Sequence, residues 1–306
     1  MEQDTALISA VVFSKDRAMQ LDATLRSFHL RCKDSHVVSI TVLYAVSGNP
    51  HGRQYAELSQ EYPEIRFLHE SDFKQDLLSL VGSSAYLLFL VDDNIFVKEF
   101  VVADAANVLR AHSDVLAFSL RLGRNTVYAY AHGKYQRLPE FTENDNRILM
   151  FDWTTSERDF NYPCDISSSL YRSSDLAAVV ERIPCSNPNL LEGHLDANKY
   201  GFHGQSRLAC FTQSVTFCNP VNKVQSVLPN NRSGGRKQYA ADTLAEKFDQ
   251  GFRINVEAYA SLVPKGCHQE VKLHFMTVTA GDALKASTWT QRLGKLFGLR
   301  HDDGLE

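Results

Sequence analysis

The stretch Leu87-Leu88-Phe89-Leu90-Val91-Asp92-Asp93-Asn94 decides how the rest of the chain is read. An apolar run without alternation describes a strand buried on both faces, as in the parallel interior of an α/β sheet. The two acids and the amide that follow then emerge at the carboxyl edge of the sheet, where open α/β sheets bind ligands. Adjacent carboxylates offer hard oxygen ligands suited to Mg²⁺ or Mn²⁺, and a bound diphosphate can complete the shell. The same acids also suit a plain capped turn before a helix expected over 97–109.

Outward from this stretch, strand-like and helix-like segments alternate. Strands are expected over 7–13, 38–46, 65–69, 86–91 and 115–120, each a short apolar run closed by turn residues. Between the first two, Leu21, Leu25 and Phe28 recur at helical spacing, with Arg17, Asp22 and Arg26 left to face solvent or a ligand. Helices are also expected over 55–62 and 72–81. The pattern predicts an α/β fold, a Rossmann-type, mostly parallel sheet flanked by helices. From 121 to 165 the connections become irregular and rich in Arg, Asn, Asp and aromatics, with strands at 126–130 and 148–153, as for a smaller mixed-strand region that shapes a cleft. The organisation expected is a ligand-binding half over 1–120, a second half of the same domain over 121–280, and an amphipathic tail over 281–306.

Composition narrows the class. The chain has 306 residues, 44% hydrophobic and 22% charged, with 16 Gly and 9 Pro, which describes a folded globular protein. At this length a chain buries roughly 75% of its unfolded surface and needs no disulfide or structural metal. Thirty-six acidic against thirty-two basic residues leave a net charge of -4, so no general attraction to nucleic acid is expected. Six widely spread cysteines lack CxxC spacing and read as reduced, structural thiols. No apolar run approaches membrane-spanning length and the start lacks a leader pattern, so the expected location is cytoplasmic. The 281–306 tail carries Trp289, Leu293, Leu296 and Phe297 as an apolar stripe among Lys and Arg residues. Such a face packs on the domain, forms a homo-oligomer, or contacts the inner membrane surface peripherally. No GxGxxG, GxxxxGK[ST] or GxSxG pattern is present, which removes local support for dinucleotide, P-loop and serine-hydrolase chemistry.

The amino-terminal strand, the Ser14-Lys15-Asp16-Arg17 loop after it, and the Asp92-Asp93-Asn94 signature together resemble the nucleotide-sugar glycosyltransferases of the GT-A fold, over most of residues 7–215. The resemblance implies a nucleotide-diphosphate sugar donor, a glycan or glycolipid acceptor, and Mn²⁺ or Mg²⁺ as cofactor. On the donor side it points to Asp16, Arg17, Tyr44, Asp92 and Asp93, with Asp72 and Lys74 as a further candidate pair. Asp16 and Arg17 can meet a base, ribose or phosphate, and Tyr44 can stack on a base or pack in the core. Asp72 and Lys74 equally suit a helix cap and its counter-charge. For a metal it points to Asp93, Asn94 and His268, with His274 as another carboxy-terminal candidate. Because Asn94 stands where an Asp is common, a weaker, altered or metal-independent site stays open.

The Asn187-Pro188-Asn189-Leu190-Leu191-Glu192-Gly193-His194 segment resembles the acceptor side of inverting members and makes Glu192 the catalytic base. A carboxylate there can take the acceptor hydroxyl proton while that oxygen displaces the diphosphate, with inversion. Gly193 replaces the usual acid after it, and a first-turn residue balancing the helix dipole is the alternative. Trp153, as a sugar platform or as core or cleft support, and Asp159 and Asp165 as orienting acids complete the acceptor side. His194, Asp196 and His203 show no dedicated zinc spacing. Two other readings stay open: a catalytically inactive nucleotide-sugar or glycan-binding protein, and a sugar-1-phosphate nucleotidyltransferase, although the latter would show a Gly-rich basic loop near the start.

Overall fold

The computed structural model describes residues 7–144, 147–225, 227 and 232–277. The first part alternates regularly: β1 (Ile8–Lys15), α1 (Ala18–Arg31), β2 (Val38–Ala45), α2 (Asn49–Glu61), β3 (Arg66–His69), α3 (Phe73–Val81) and β4 (Tyr86–Val91). After it come β5 (Asn94–Phe96), α4 (Val102–Ala111) and β6 (Val115–Ser119), then the short strands β7 (Tyr128–Ala129), β8 (Lys134–Tyr135) and β9 (Thr142–Glu143). The remainder holds β10 (Ile148–Asp152), β11 (Ser169–Arg172), α5 (Ser173–Arg182), α6 (Pro188–Ala197), β12 (Arg207–Phe211), β13 (Thr216–Cys218), α7 (Ala241–Asp249), β14 (Phe252–Ile254) and β15 (Phe275–Thr277).

One nine-stranded sheet runs β3-β2-β1-β4-β11-β6-β12-β10-β9. Its first four strands are mutually parallel, as the apolar runs require. β11 then runs antiparallel to both β4 and β6, while β12 lies parallel to β6 and antiparallel to β10. The parallel half and the mixed half therefore meet at β11. Because β1 and β4 are covered on both faces, their alternate side chains enter two different cores. Ile8, Ala10, Val12, Leu88 and Leu90 pack with α1, α2, α4 and α7. Val11, Phe13, Leu87 and Phe89 pack with α3, α5 and α6 on the other face. A buried Leu of this kind contributes roughly 1.5–3 kcal/mol of transfer free energy.

Three local readings change. The 97–109 helix begins only at Val102, because Asn94–Phe96 instead pairs antiparallel with Thr216–Cys218 and Val97 N–H donates to the Val215 carbonyl. The Asp92-Asp93 pair therefore caps no helix at Val97. α2 starts six residues early, since Pro50 sits in its first turn, where a missing N–H costs nothing. Of the strand expected at 126–130, only Tyr128–Ala129 pairs. All six cysteines are buried and unbridged. Among the described residues no helix is long and apolar enough to cross a membrane. The amphipathic tail at 281–306 lies outside the described residues.

Candidate functional site

The carboxyl ends of β1, β2 and β4 converge because those strands run parallel in near-identical register, Phe13 opposite both Leu43 and Val91. Asp92, 4% exposed, therefore faces the loop that leaves β1. Its Oδ1 accepts from Arg17 Nη1 at 2.9 Å, and its Oδ2 accepts from Ser14 Oγ at 2.9 Å and Lys15 N–H at 3.2 Å. Burial raises the Asp92 carboxyl above its ordinary range, and the Arg17 charge pulls the other way. Arg17 Nη1 also lies 3.6 Å from Asp93 Oδ2, while its Nη2 donates to the Asn222 carbonyl at 2.7 Å. Burial opposes the charge on Arg17, but Asp92 and Asp93 together hold the guanidinium above its usual value. Its Nε is buried without a partner, an unspent donor beside the acidic edge.

Asp16 braces the neighbouring loop. Its backbone sits in the left-handed region at φ 54°, tolerable for Asp, and its carboxylate accepts from Ser47 N–H at 2.7 Å and Ser47 Oγ at 2.6 Å. Tyr44 stacks on Tyr55 at 4.5 Å and meets Phe67 and His69 edge-on. Tyr55 was not singled out by sequence, yet its hydroxyl contacts Ser14 Oγ and accepts from Arg17 N–H at 3.2 Å, so it supports the loop from below.

Asn94 turns inward. Its Oδ1 accepts from Val91 N–H at 2.9 Å, and its amide donates toward the Ser167 carbonyl and Cys218 Sγ, each at 3.3 Å. The expectation of a metal ligand at Asn94 is thereby corrected: the side chain is fully buried and its oxygen is engaged in closing the turn. The β5–β13 pairing and an isolated bridge from Cys218 to His268 carry the chain laterally from Asn94 to His268. His268 Nε2 lies 3.4 Å from Arg121 Nη1. Burial and then the Arg121 charge push its imidazole down to about 4, against Asp93 and Asp165, so the ring is neutral at neutral pH.

Arg121, also missed by sequence, joins this side to the next. It is 4% exposed, pairs with Asp165 Oδ1 through Nη2, and donates to Cys218 Sγ at 3.1 Å. Asp165 is further fixed by Ser167 N–H at 2.7 Å and Ser169 Oγ at 3.0 Å. The chain signal was a lone arginine between Leu120 and Leu122 at the end of an apolar strand, a charge with no outlet except a buried acid. Between the acid and that strand, Ser168 is held at φ 110° with its hydroxyl buried and unpartnered, a local strain of the kind that clusters at functional sites.

Glu192 lies in α6, whose Asn187 cap accepts from Leu190 N–H at 3.0 Å and whose Pro188 opens the first turn. Leu191 and Leu195 anchor the helix in the core and leave Glu192 half-buried toward Asp165. Its Oε1 accepts one bond, from Ile166 N–H at 3.3 Å. Burial first, and the Asp165 charge second, push its carboxyl up to about 7 against the pull of Arg121. Asp159, also raised chiefly by burial, exchanges hydrogen bonds with Gln136.

Other expected residues stand elsewhere. Asp72 is the exposed cap of α3, accepting from Gln75 N–H at 3.0 Å, and Lys74 donates to the Glu181 carbonyl at 2.8 Å, so the pair fastens α3 toward α5 and is spent there. Trp153 is 2% exposed, with its indole N–H on the Gln205 carbonyl at 2.9 Å. The expectation of a sugar platform at Trp153 is corrected to a core residue, because its faces are closed to solvent. His274 is exposed beside Tyr259.

Among the described residues no group of three His, Cys, Asp and Glu side chains is placed to hold a metal. Asp93 and the neutral His268 remain as one carboxylate and one imidazole, a pair that fits Mg²⁺ or Mn²⁺ only if phosphate oxygens and water fill the other positions.

No family model matches the chain. It is 26% identical over 254 residues to the bifunctional glycosyltransferase pgtA of Dictyostelium discoideum, covering 73% of this chain and 33% of the relative. The chain thus spans about a third of the length of that relative. Among solved structures, S. aureus TarS in complex with UDP overlaps 73% of this chain and 68% of its own at 15% identity and a TM-score of 0.47. The mannosyltransferase PcManGT from Pyrobaculum calidifontis, in complex with GDP-Man and Mn²⁺, overlaps 96% and 81% at 11% identity and a TM-score of 0.44. The curated relative is itself named a glycosyltransferase, the class of activity that the resemblance in the sequence implies.

Proposed function

We propose that the chain is a glycosyltransferase domain that moves a sugar from a nucleotide-diphosphate donor to a hydroxyl of a glycan or glycolipid precursor, with inversion. The observation that carries the reading is the division of acids along one sheet edge. Asp92 and Asp93 are matched by the Arg17 cation, whereas Glu192 holds a proton affinity near neutrality.

In this reading residues 1–120 hold the donor and 121–280 the acceptor. Arg17, with its unspent Nε, takes the donor diphosphate, and Asp93 takes the donor ribose or sugar. Asp16 and Ser47 keep the β1 and β2 loops at fixed separation beneath the base. A divalent ion, when bound by Asp93 and His268, supplies charge stabilisation to the departing diphosphate. Glu192 takes the proton of the acceptor hydroxyl, whose oxygen forms the new bond to the anomeric carbon as the bond to diphosphate breaks. A base with a carboxyl near 7 is matched to that transfer at working pH. Asp165 and Arg121 orient the loop around it.

The test is thermal stabilisation by UDP, GDP, CMP and dTDP and their common sugar conjugates, with EDTA or Mn²⁺, in the wild type and in Asp93→Ala and Glu192→Ala. A selective shift lost in Asp93→Ala and kept in Glu192→Ala is expected. No selective shift with any donor for the folded wild type sinks the reading.

A further inference from the structure

Among the described residues two tyrosines of the mixed half are strongly exposed: Tyr200, 66% exposed beside the buried Trp153, and Tyr135 on the β7–β8 hairpin, which alone connects to the site. Tyr135 is 73% exposed and meets Tyr128 edge-on at 5.4 Å between ring centres. The Tyr128 hydroxyl accepts from Arg232 Nη1 at 3.3 Å, and the Arg232 guanidinium lies 4.4 Å over the ring of Tyr130. Tyr130 in turn stands 6.2 Å from the ring of His268. Glu270 accepts from the Tyr130 hydroxyl and holds that ring in place. Gly133 turns the hairpin at φ 64°, and a side chain there would press on Arg232 Nη1 at 3.3 Å. Two observations thus coincide: a row of contacts runs from His268 through the buried Tyr130 to Arg232, Tyr128 and Tyr135, and its far end is a tyrosine 73% exposed whose one ring contact among the described residues is edge-on to Tyr128.

We propose that Arg232, Tyr128 and Tyr135, backed by the buried Tyr130 and leading to His268, form a track for an extended acceptor glycan, with sugar rings beyond the reacting one lying on Tyr128 and Tyr135. The inference rests on the glycosyltransferase reading and deepens it by assigning an oligosaccharide, not a single sugar, as the acceptor class. Pyranose rings present an apolar face of C–H groups and a rim of hydroxyls. A tyrosine matches the first with its ring, and a guanidinium matches the second with planar donors. Continuity with His268 places the start of the row at the donor side of the site, so a glycan seated on Tyr135 runs inward to the acids.

The experiment titrates free mono-, di-, tri- and tetrasaccharides of glucose, galactose, mannose, fucose and N-acetylglucosamine against the wild type, Tyr135→Ala, Tyr135→Phe and, as a neighbouring exposed control, Leu138→Ala. Binding is read by saturation-transfer NMR and transfer by nucleotide release. Affinity is expected to rise with chain length. Tyr135→Ala should raise the KM for the longest acceptor about fivefold or more with kcat less affected, Tyr135→Phe should retain wild-type behaviour, and Leu138→Ala should leave the length dependence intact. Length-independent binding, or a Tyr135→Ala variant equal to wild type, overturns the track. Length-dependent binding that needs Tyr135 without any transfer sustains the track and overturns the enzyme reading. Transfer without length dependence does the reverse, and neither binding nor transfer overturns both.

Discussion

Asp92 and Glu192 are both acids drawn out of water at the same edge of the sheet, and they are held in opposite ways. Asp92 belongs to the parallel half and has three partners, Arg17, Ser14 Oγ and Lys15 N–H. Glu192 belongs to the mixed half, has one hydrogen bond, from Ile166 N–H, and faces a second acid, Asp165. A carboxylate fixed on all sides is suited to holding geometry, whereas one that is desolvated and nearly unpartnered is suited to moving a proton. Under the proposed function, the two halves of one sheet divide binding from proton transfer.

The sharpest way to break this contrast is Glu192→Gln, which keeps the shape and removes the base. Transfer is expected to fall about 10²–10⁴-fold while donor affinity stays at the wild-type level, read from kcat and from nucleotide titration. If donor affinity falls with it, the division fails. On the other side, Arg17→Met leaves Asp92 buried beside no cation, and urea denaturation should register a loss of about 3–5 kcal/mol. A loss below ~1 kcal/mol would mean that Ser14 and Lys15 alone suffice.

A third measurement uses pH. A Glu whose carboxyl stands near 7 in the folded chain and at its ordinary value of 4.5 unfolded keeps its proton longer in the folded state. Stability therefore falls as pH rises from about 4.5 through about 7, by up to about 3 kcal/mol. Glu192→Gln should flatten that part of the pH-stability curve, and an unchanged slope would place the proton elsewhere. The smallest effect is expected at Asp72→Ala, about 1 kcal/mol for a lost helix cap, with unaltered donor binding. Weakened donor binding there would return Asp72 to the site.

The parallel half was readable because its evidence is local. Runs such as Tyr86–Val91 announce burial on both faces, and turn residues delimit them. What escaped depends on partners far along the chain. Asn94–Phe96 looked like the approach to a helix because Thr216–Cys218, which pairs with it, lies more than a hundred residues away. Arg121 was passed over because its meaning comes from Asp165 and Cys218, and Trp153 stayed open between platform and core because an aromatic ring reads alike in both. Asp92 and Glu192 stand in chemically suggestive surroundings, while Asp72 and Lys74, equally suggestive as a pair, serve a helix end.

The antiparallel strand β11 has a consequence for how the protein is made. It fills the gap between β4 and β6, so these two strands, although finished early, are never neighbours. On a ribosome adding roughly 5–20 residues per second, the edge of β4 waits several seconds for the roughly 80 residues that bring Ser169–Arg172 into reach. During that interval Leu87 to Leu90 present an unpaired apolar ladder to the cell. The arrival of one four-residue strand thereby ends the exposure of the same residues that later position Asp92.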